Sequence, residues 1–300
     1  MNRVLSNRAL SNRLRGLLPV LLACAVASSC TSSSPEGATS AVVVSQIGFG
    51  ARTGDEIDGI EVAVGLDIDG RTSDTSDELG CKRRDFMAPD GRAGIDNQFT
   101  FLYETVAEVF QDGVVEGIIQ NSINEGRLLL MYQLSGVDDP LNDDEVEVAI
   151  FLGEGRPDLN SNNRIVGSQT FDRRLDASVT TTRGRIVDGV LETDAFDIEM
   201  PMAFFNVFFD LQLSEARIRG EMHEDGGMVG VLAGAVSMEQ IYEIGRMADG
   251  AQELQITPTL QMLLPRWADL LPGDDGRCTH LSAALTFESV PAFVYEDVAP

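Results

Sequence analysis

The sequence predicts a mainly β fold: an antiparallel β-sandwich or barrel-like domain with a helical hairpin and one or two further short helices. Three observations lead to this prediction. After Gly126 the chain consists of short apolar runs separated by clusters of Asp, Asn, Gly and Pro, which is typical of strands joined by turns. Two neighbouring segments before Gly126 have the period of a helix instead. Hydrophobic residues make up 43% of the chain, enough to bury the core of one β-rich domain.

The first part of this domain is predicted to be strand. Residues 41–44 are apolar, and within residues 57–68 apolar residues alternate with others, a period of two that indicates a half-buried strand. An acidic stretch follows at residues 67–98, which contains eight carboxylates, one cysteine and several Asp/Gly turn signals. We interpret this stretch as a long ordered loop.

Two helices are predicted next. Apolar residues recur at helical spacing from Ile95 to Phe110, and Asp96 or Asn97 can cap the start of the helix. A second short helix is predicted from residue 114 onward, with Gly126 as its C-cap. Together the two helices form a hairpin over one face or end of a sheet.

Strands are predicted through most of the remaining chain, at residues 128–134, 146–152, 165–171, 185–191, 196–200, 204–213, 216–222, 228–236 and 281–294. The run 204–213 (FFNVFFDLQL) is the most hydrophobic of these and favours a central strand. An Asp-Gly-Gly turn joins 216–222 to 228–236 as a hairpin. Ser237 can cap a further helix, whereas residues 254–264 are ambiguous because two prolines limit a helix there.

The first thirty residues predict a targeting segment. Residues 1–15 carry four arginines and no acid, and residues 17–27 (LLPVLLACAVA) form an apolar run too short to span a bilayer as a helix. Small residues then precede Cys30. This pattern resembles the lipobox of bacterial lipoproteins, although Ala27 stands where that family usually has Leu. The alternative is Cys24, which follows Leu-Leu-Ala and fits the lipobox letters slightly better, but it would leave an apolar run of only about five residues, so Cys30 is preferred. The resemblance implies a signal peptide at residues 1–29 and a lipidated Cys30 that begins a flexible tether at residues 30–40. A single β-rich domain is predicted at 41–300.

The number of cysteines supports this interpretation. Cleavage without lipidation would leave an odd number, namely Cys30, Cys81 and Cys278, whereas lipidation of Cys30 leaves Cys81 and Cys278 to form a disulfide. The alternative to the lipid anchor is a soluble periplasmic or secreted protein. The alternative to the disulfide is a pair of free thiols. Because Thr31 and not Asp follows Cys30, the lipoprotein resemblance also implies sorting to the outer membrane or the cell surface.

The charge of the chain limits its partners. There are 22 basic against 48 acidic residues, a net charge of −26. Such a surface repels phosphate backbones, so no nucleic-acid partner is expected. It also repels anionic lipid, so contact with a membrane is expected through the lipid anchor. The acids could attract divalent cations, or they could serve solubility alone.

Two segments contain residues typical of calcium ligands. In the acidic stretch, Asp67, Asp69, Asp74 and Asp77 offer closely spaced oxygen ligands, with Asp85 behind them. A second segment places such residues in alternate positions: Asp158, Asn160 and Asn162. It lacks the glycine and the glutamate that an EF-hand has at its sixth and twelfth positions. For both segments the alternative is a solvated turn.

The segment 90–98 (DGRAGIDNQ) predicts a turn followed by a helix cap. A binding role is the alternative, because Asp90, Asp96, Asn97 and Gln98 could hydrogen-bond a sugar or ligate a metal.

Catalytic motifs are mostly missing. The sequence has two histidines, His223 and His280, and it has no G-x-S-x-G elbow, H-E-x-x-H, P-loop or dinucleotide-binding glycine motif. The leading hypothesis is an exported, lipid-anchored envelope or cell-surface protein. It would be a non-enzymatic binding or structural module for an envelope or extracellular ligand, with calcium as a stabilising ion. The alternative is an extracellular glycan-acting hydrolase on a β-sandwich, since paired carboxylates are available.

Overall fold

The computed structural model describes residues 38–110, 113–204, 207–252 and 255–295, and the structural statements below concern these residues. The predicted signal peptide and Cys30 lie outside them. The strands are β1 (Ala38–Phe49), β2 (Arg52–Ile57), β3 (Ile60–Ala63), β4 (Leu130–Val137), β5 (Asn142–Glu154), β6 (Gln169–Arg173), β7 (Thr180–Val187), β8 (Val190–Thr193), β9 (Phe196–Phe204), β10 (Val207–Met222), β11 (Met228–Ser237), β12 (Leu270–Pro272) and β13 (Cys278–Tyr295). The helices are α1 (Phe99–Phe110), α2 (Val114–Asn124), α3 (Met238–Gln252) and α4 (Thr257–Trp267).

Eight of the strands close into a ring. In the order β1, β4, β5, β7, β8, β10, β11 and β13, each strand pairs antiparallel with the next, and β13 pairs with β1. Each of these eight strands is therefore hydrogen-bonded on both sides, which removes the edges of the sheet. The remaining large-sheet strands add to the ring: β9 pairs with β10, β12 with β13, and β6 lies antiparallel to β5 and parallel to β13. The mainly β, barrel-like fold that the sequence predicts is confirmed.

The inner face of the ring holds the main core. Cross-strand partners on this face are apolar and buried, for example Tyr132 opposite Ile150 and Ile186 opposite Leu191. The Tyr132 ring meets Phe287 edge-on, with 5.4 Å between the ring centroids. This face corresponds to the alternating apolar positions of the sequence, since successive side chains of a strand point to opposite faces.

The helices pack onto the main core of the ring, since their buried apolar residues belong to the same cluster as Tyr132. α2 packs against β1 and β9, and α3 packs against α4, β10 and β11. Met131, which points to the face opposite that of its neighbour Tyr132, is fully buried as well. The predicted helical hairpin corresponds to α1 and α2, and α3 and α4 are the two further helices. Ser237 caps α3 as predicted, because its Oγ accepts a hydrogen bond of 3.1 Å from the Gln240 N–H.

Three predicted strands are wrong in their boundaries. The run 204–213 is not one central strand, because the chain reverses between Phe204 and Val207, which pair with each other in the β9–β10 hairpin. The predicted strand within residues 57–68 begins with another hairpin, since Asp58 and Gly59 have φ values of 54° and 75° and turn the chain from β2 into the short β3.

The third is the predicted strand 185–191, which contains the turn from β7 into β8. Asp188 and Gly189 have φ values of 51° and 77° at this turn. In all three segments apolar residues stand on both sides of the turn, so periodicity does not reveal it.

The ambiguous residues 254–264 fall mostly in α4, which has Pro258 in its first turn, where no backbone N–H is needed. Of the helices that the structure describes, none has both the length and the apolar content needed to cross a bilayer.

Candidate functional site

The acidic stretch between β3 and α1 is an ordered loop with a small core of its own. Short bridges connect Val62 to Met87 and Phe86 to Ile95. The core beneath them contains Ala63, Phe86, Ala88 and Ile95, all buried. The loop therefore has a fixed shape although it contains no long strand or helix, as the sequence predicts.

A disulfide joins this loop to the ring. Cys81 bonds to Cys278, the first residue of β13, with 5.9 Å between the two Cα atoms. The predicted disulfide is confirmed. It connects residues 197 positions apart, so it fixes the loop to the strand that closes the ring.

Three carboxylates of the loop lie around one point. Oxygen atoms of Asp67, Asp69 and Asp96 lie within 4.8 Å of one another. That separation suits a single calcium ion, whose bonds to oxygen are about 2.3–2.6 Å long. The Asp96 Oδ2 accepts a hydrogen bond of 2.7 Å from the Ile68 N–H, and the Asp67 Oδ1 accepts one of 2.7 Å from the Gly70 N–H. These bonds fix the direction of both carboxylates.

Two further aspartates, Asp85 and Asp269, lie behind these three. We call all five residues together the carboxylate cluster: Asp67, Asp69, Asp85, Asp96 and Asp269. Asp85 and Asp269 are 6% and 4% exposed. Asp85 accepts a hydrogen bond from the Ser73 N–H, and Asp269 accepts two from the N–H and hydroxyl of Ser282. Within the described part of the chain, no arginine or lysine forms an ion pair with Asp85, Asp96 or Asp269.

Burial without a cation disturbs the ionisation of these groups. Burial raises the pKa of Asp85 to about 6, although the hydrogen bond from the Ser73 N–H acts to lower it. Burial also raises the pKa of Asp269 to about 7. Burial and the charges of Asp269 and Asp85 hold the pKa of Asp96 well above its usual value. The pKa of Asp69 is also raised, by burial first and then by the charge of Asp67. Near neutral pH the buried carboxyls of the cluster are therefore partly protonated, and in the described structure Arg71 beside Asp69 balances part of the remaining negative charge.

The other predicted ligands of the acidic stretch have different partners. Asp77 forms a 2.5 Å ion pair with Arg71, and this bond lowers the pKa of Asp77. Asp74 accepts hydrogen bonds from the N–H and hydroxyl of Ser76. Arg71 is also the nearest cation to the cluster, 3.8 Å from Asp69. The structure thus brings together Asp67 and Asp69 of the predicted set and leaves Asp74 and Asp77 outside it.

The second predicted calcium segment is an exposed turn between β5 and β6. The Asn160 Oδ1 accepts hydrogen bonds from the N–H groups of Asn162 and Arg164. Asp158 is bonded through its main chain to the side-chain amide of Gln169. The Asn160 side chain therefore stabilises the turn itself.

Of the four residues predicted to contact a ligand, only Asp90 is exposed, and it pairs with Arg92. Asn97 is fully buried, and its Nδ2 donates hydrogen bonds to the carbonyl oxygens of Gly50 and Val64. Gln98 is also buried and donates to the Arg84 carbonyl. Asn97 and Gln98 thus hold the cluster in place, while Asp96 joins it.

Asp269 is the member of the cluster that sequence analysis missed. It lies about 170 positions after Asp96, between α4 and β12, and only the folded structure brings the two together. Its local signal is an aspartate flanked by the buried Ala268 and Leu270. A carboxylate within such an apolar run is a candidate for a buried functional group.

A charged groove of about 630 Å³ runs along β7, β8 and β10, and Asp67 of the cluster is among the residues that line it. Glu192 accepts hydrogen bonds from Arg185 at 2.8 Å and from Arg219 at 3.1 Å. Burial would raise the pKa of Glu192, but these ion pairs lower it. The charges in the middle of this groove therefore satisfy each other.

Comparisons of the chain with protein-family models, with curated proteins and with solved structures find no match.

Replacing both Cys81 and Cys278 by serine should lower the midpoint of thermal unfolding. On the chain-entropy model, a crosslink over a loop this long stabilises the folded state by up to about 5 kcal/mol. The measurement is thermal unfolding of the wild type and the double variant in oxidising buffer. Adding reductant to the wild type should reproduce the lower midpoint. An unchanged midpoint in the double variant would show that the disulfide does not constrain unfolding.

In the metal-free protein, stability should fall as the pH rises from about 5 to about 7.5. An aspartate whose pKa is higher in the folded state binds more protons folded than unfolded between the two values, so the free energy of unfolding decreases through that interval. The interval ends at the pKa of the folded state, which is about 6 for Asp85 and about 7 for Asp269. Thermal midpoints measured with a chelator across this range test the prediction.

Asp269→Asn is the matched variant for this pH profile. It keeps an oxygen acceptor for the Ser282 N–H but cannot ionise, so its profile should be flatter. His280, whose pKa burial lowers, changes stability in the opposite sense but is present in both proteins. The difference between the profiles therefore isolates Asp269, and two parallel profiles would contradict the prediction.

Proposed function

We propose that this chain is an exported protein, anchored through a lipid on Cys30, and that its β-rich domain is a non-enzymatic binding or structural module that holds calcium. The arginines, the apolar run and Cys30 at the N-terminus support the anchor. The Cys81–Cys278 disulfide supports an oxidising compartment outside the cytosol. An outer-membrane or cell-surface location follows from the residue after Cys30.

The carboxylate cluster is the observation that carries the calcium proposal. Asp67, Asp69 and Asp96 place oxygens around one point, and the buried Asp85 and Asp269 add negative charge behind them. A divalent cation would balance this charge, and hard oxygen ligands favour calcium over softer metals. The loop is already held by the disulfide and by Asn97, so little ordering is needed when an ion binds.

The surroundings of the two histidines support a non-enzymatic role. His223 lies in the turn between β10 and β11. His280 is half-buried and its Nδ1 lies 2.8 Å from the Thr279 hydroxyl. That hydroxyl donates its proton to the Leu271 carbonyl, so the histidine does not activate it as a nucleophile.

A glycan-acting hydrolase is the second candidate. The observation that favours it is the raised pKa of Asp85, about 6, because a general acid near neutral pH needs such a value. However, Asp85, Asp96 and Asp269 are each at most 6% exposed, and a glycosidic oxygen must reach the acid that protonates it. Burial of the carboxylates therefore favours metal binding. Turnover of a polysaccharide by the purified protein, lost in Asp85→Asn, would reverse this preference.

Calcium should raise the thermal midpoint of the wild type above that in chelator. An ion that binds only the folded state at one hundred times its Kd stabilises it by about 2.7 kcal/mol. Asp67→Asn and Asp96→Asn should each lose most of this gain, because each removes a charged ligand. Asp158→Asn is the control, since it removes an exposed carboxylate from the other predicted segment. No gain in the wild type, or an equal gain in all four proteins, would contradict the proposed site.

Cys30→Ser should release the full chain from the membrane fraction of a bacterial host, because the acyl chains would be attached to that sulfur. Fractionation and incorporation of labelled palmitate measure the effect. Cys24→Ser is the matched control and should leave the protein in the membrane. Release by Cys24→Ser instead would place the lipid on the other cysteine and contradict the proposal.

A further inference from the structure

An apolar cavity lies between the ring and the helices, on the face of β13 that also carries Phe287. Its volume is about 160 Å³, and residues of all four helices and of the β9–β10 hairpin form its walls. β11 and β13 form the floor, where the short side chain of Ala283 leaves room. The lining consists of aliphatic and aromatic side chains together with Gly245.

The cavity is open to solvent. Several of its large apolar residues are only half-buried: Phe49, Phe99, Phe209, Leu211, Ile244 and Ile256. In a sealed core, side chains of this kind are fully buried. The exposed parts of these residues therefore face the cavity and its mouth, and a guest would bury them.

One wall is fixed by aromatic contacts. The Phe49 ring lies 5.6 Å from Phe99 and 4.8 Å from Tyr103, between ring centroids. Protein interiors contain few voids larger than one water molecule, so a cavity of this size is unusual and can accommodate a small ligand. An apolar cavity of about 150 Å³ takes up benzene. This one has space for an aromatic ring or an alkyl chain of about six to eight carbons.

A polar group lies behind the wall formed by α1 and α2. Tyr103 and Val115 line the cavity, and the Tyr103 hydroxyl donates a hydrogen bond to Glu116, which is not itself a lining residue. The second carboxylate oxygen of Glu116 is buried and accepts no hydrogen bond within the described residues. It could accept one from a hydroxyl or an ammonium group. An anionic ligand would be repelled by this carboxylate and by the net charge of −26.

We propose that this cavity binds the alkyl or aryl end of a small amphiphile whose head group is uncharged or cationic and lies at Glu116. The proposal names the ligand class of the binding module proposed above and rests on that function. It uses neither the carboxylate cluster nor the lipid anchor, so the calcium and palmitate experiments can succeed while this proposal fails.

Three eight-carbon probes test the proposal: 1-octanol, octylamine and octanoate. They share one chain and differ in head group. Calorimetric titration should use the full chain carrying Cys30→Ser, which needs no detergent that would itself fill the cavity. Octanol and octylamine should bind, and octanoate should bind at least about tenfold more weakly. Absence of binding by all three, or tightest binding by octanoate, would overturn the proposal.

Ala283→Leu places a larger side chain on the cavity floor and should abolish binding of 1-octanol. Ala149→Leu, on β5 and not in the cavity lining, is the matched control and should bind as before. If Ala283→Leu lowers the thermal midpoint, Ala203→Leu in the β9 wall replaces it. Unchanged octanol binding in a folded cavity variant would mean that the probe binds elsewhere and would overturn the proposal.

Glu116→Gln tests the head group. It removes the negative charge and keeps an acceptor for the Tyr103 hydroxyl. Octanol affinity should stay within about twofold, while the preference for octylamine over octanoate should disappear. An unchanged preference would show that Glu116 does not contact the head group and would overturn this part of the assignment.

Discussion

Pairing of the first strand with the last is the interaction on which the rest of the structure depends. β13 pairs with β11 on one side and with β1 on the other, and so closes the ring. The same strand holds the carboxylate cluster in place. Its Cys278 bonds to Cys81, and its Ser282 accepts a hydrogen bond from the Gln98 N–H and donates one to Asp269. β1 and β13 are far apart in sequence, so closure of the ring brings distant groups together. Contacts of this kind form slowly during folding, because a long stretch of chain must first be closed into a loop.

The sequence reveals local features of this fold and not the partners of each strand. Alternation identifies which residues of a strand are buried, as at Ile186 between the exposed Arg185 and Val187, but a period of two is the same whichever neighbour pairs with the strand. Ser237 is predictable because a helix cap is a local hydrogen bond. The disulfide is predictable because counting cysteines needs no coordinates. The turn within 204–213 is missed because apolar residues stand on both sides of it.

The same distinction applies to the candidate site. Asp67 and Asp69 are recognisable in the sequence as candidate ligands, because aspartates two positions apart in a turn have their carboxylates close together. Asp77 has the same local signal, yet its ion pair with Arg71 takes it away from the cluster. Asp96 and Asp269 join the cluster only through the tertiary fold, and burial of several like charges lowers the stability of the metal-free protein.

The closed ring also determines how the domain responds to a mechanical force. β1 is the first described element, so a pull on the chain at Ala38 loads β1 from that end. β4 and β13 flank β1 and run antiparallel to it. Their hydrogen bonds lie across the direction of the pull, so they are loaded together in shear and do not open one at a time. A strand held in this way on both sides resists extraction from the ring.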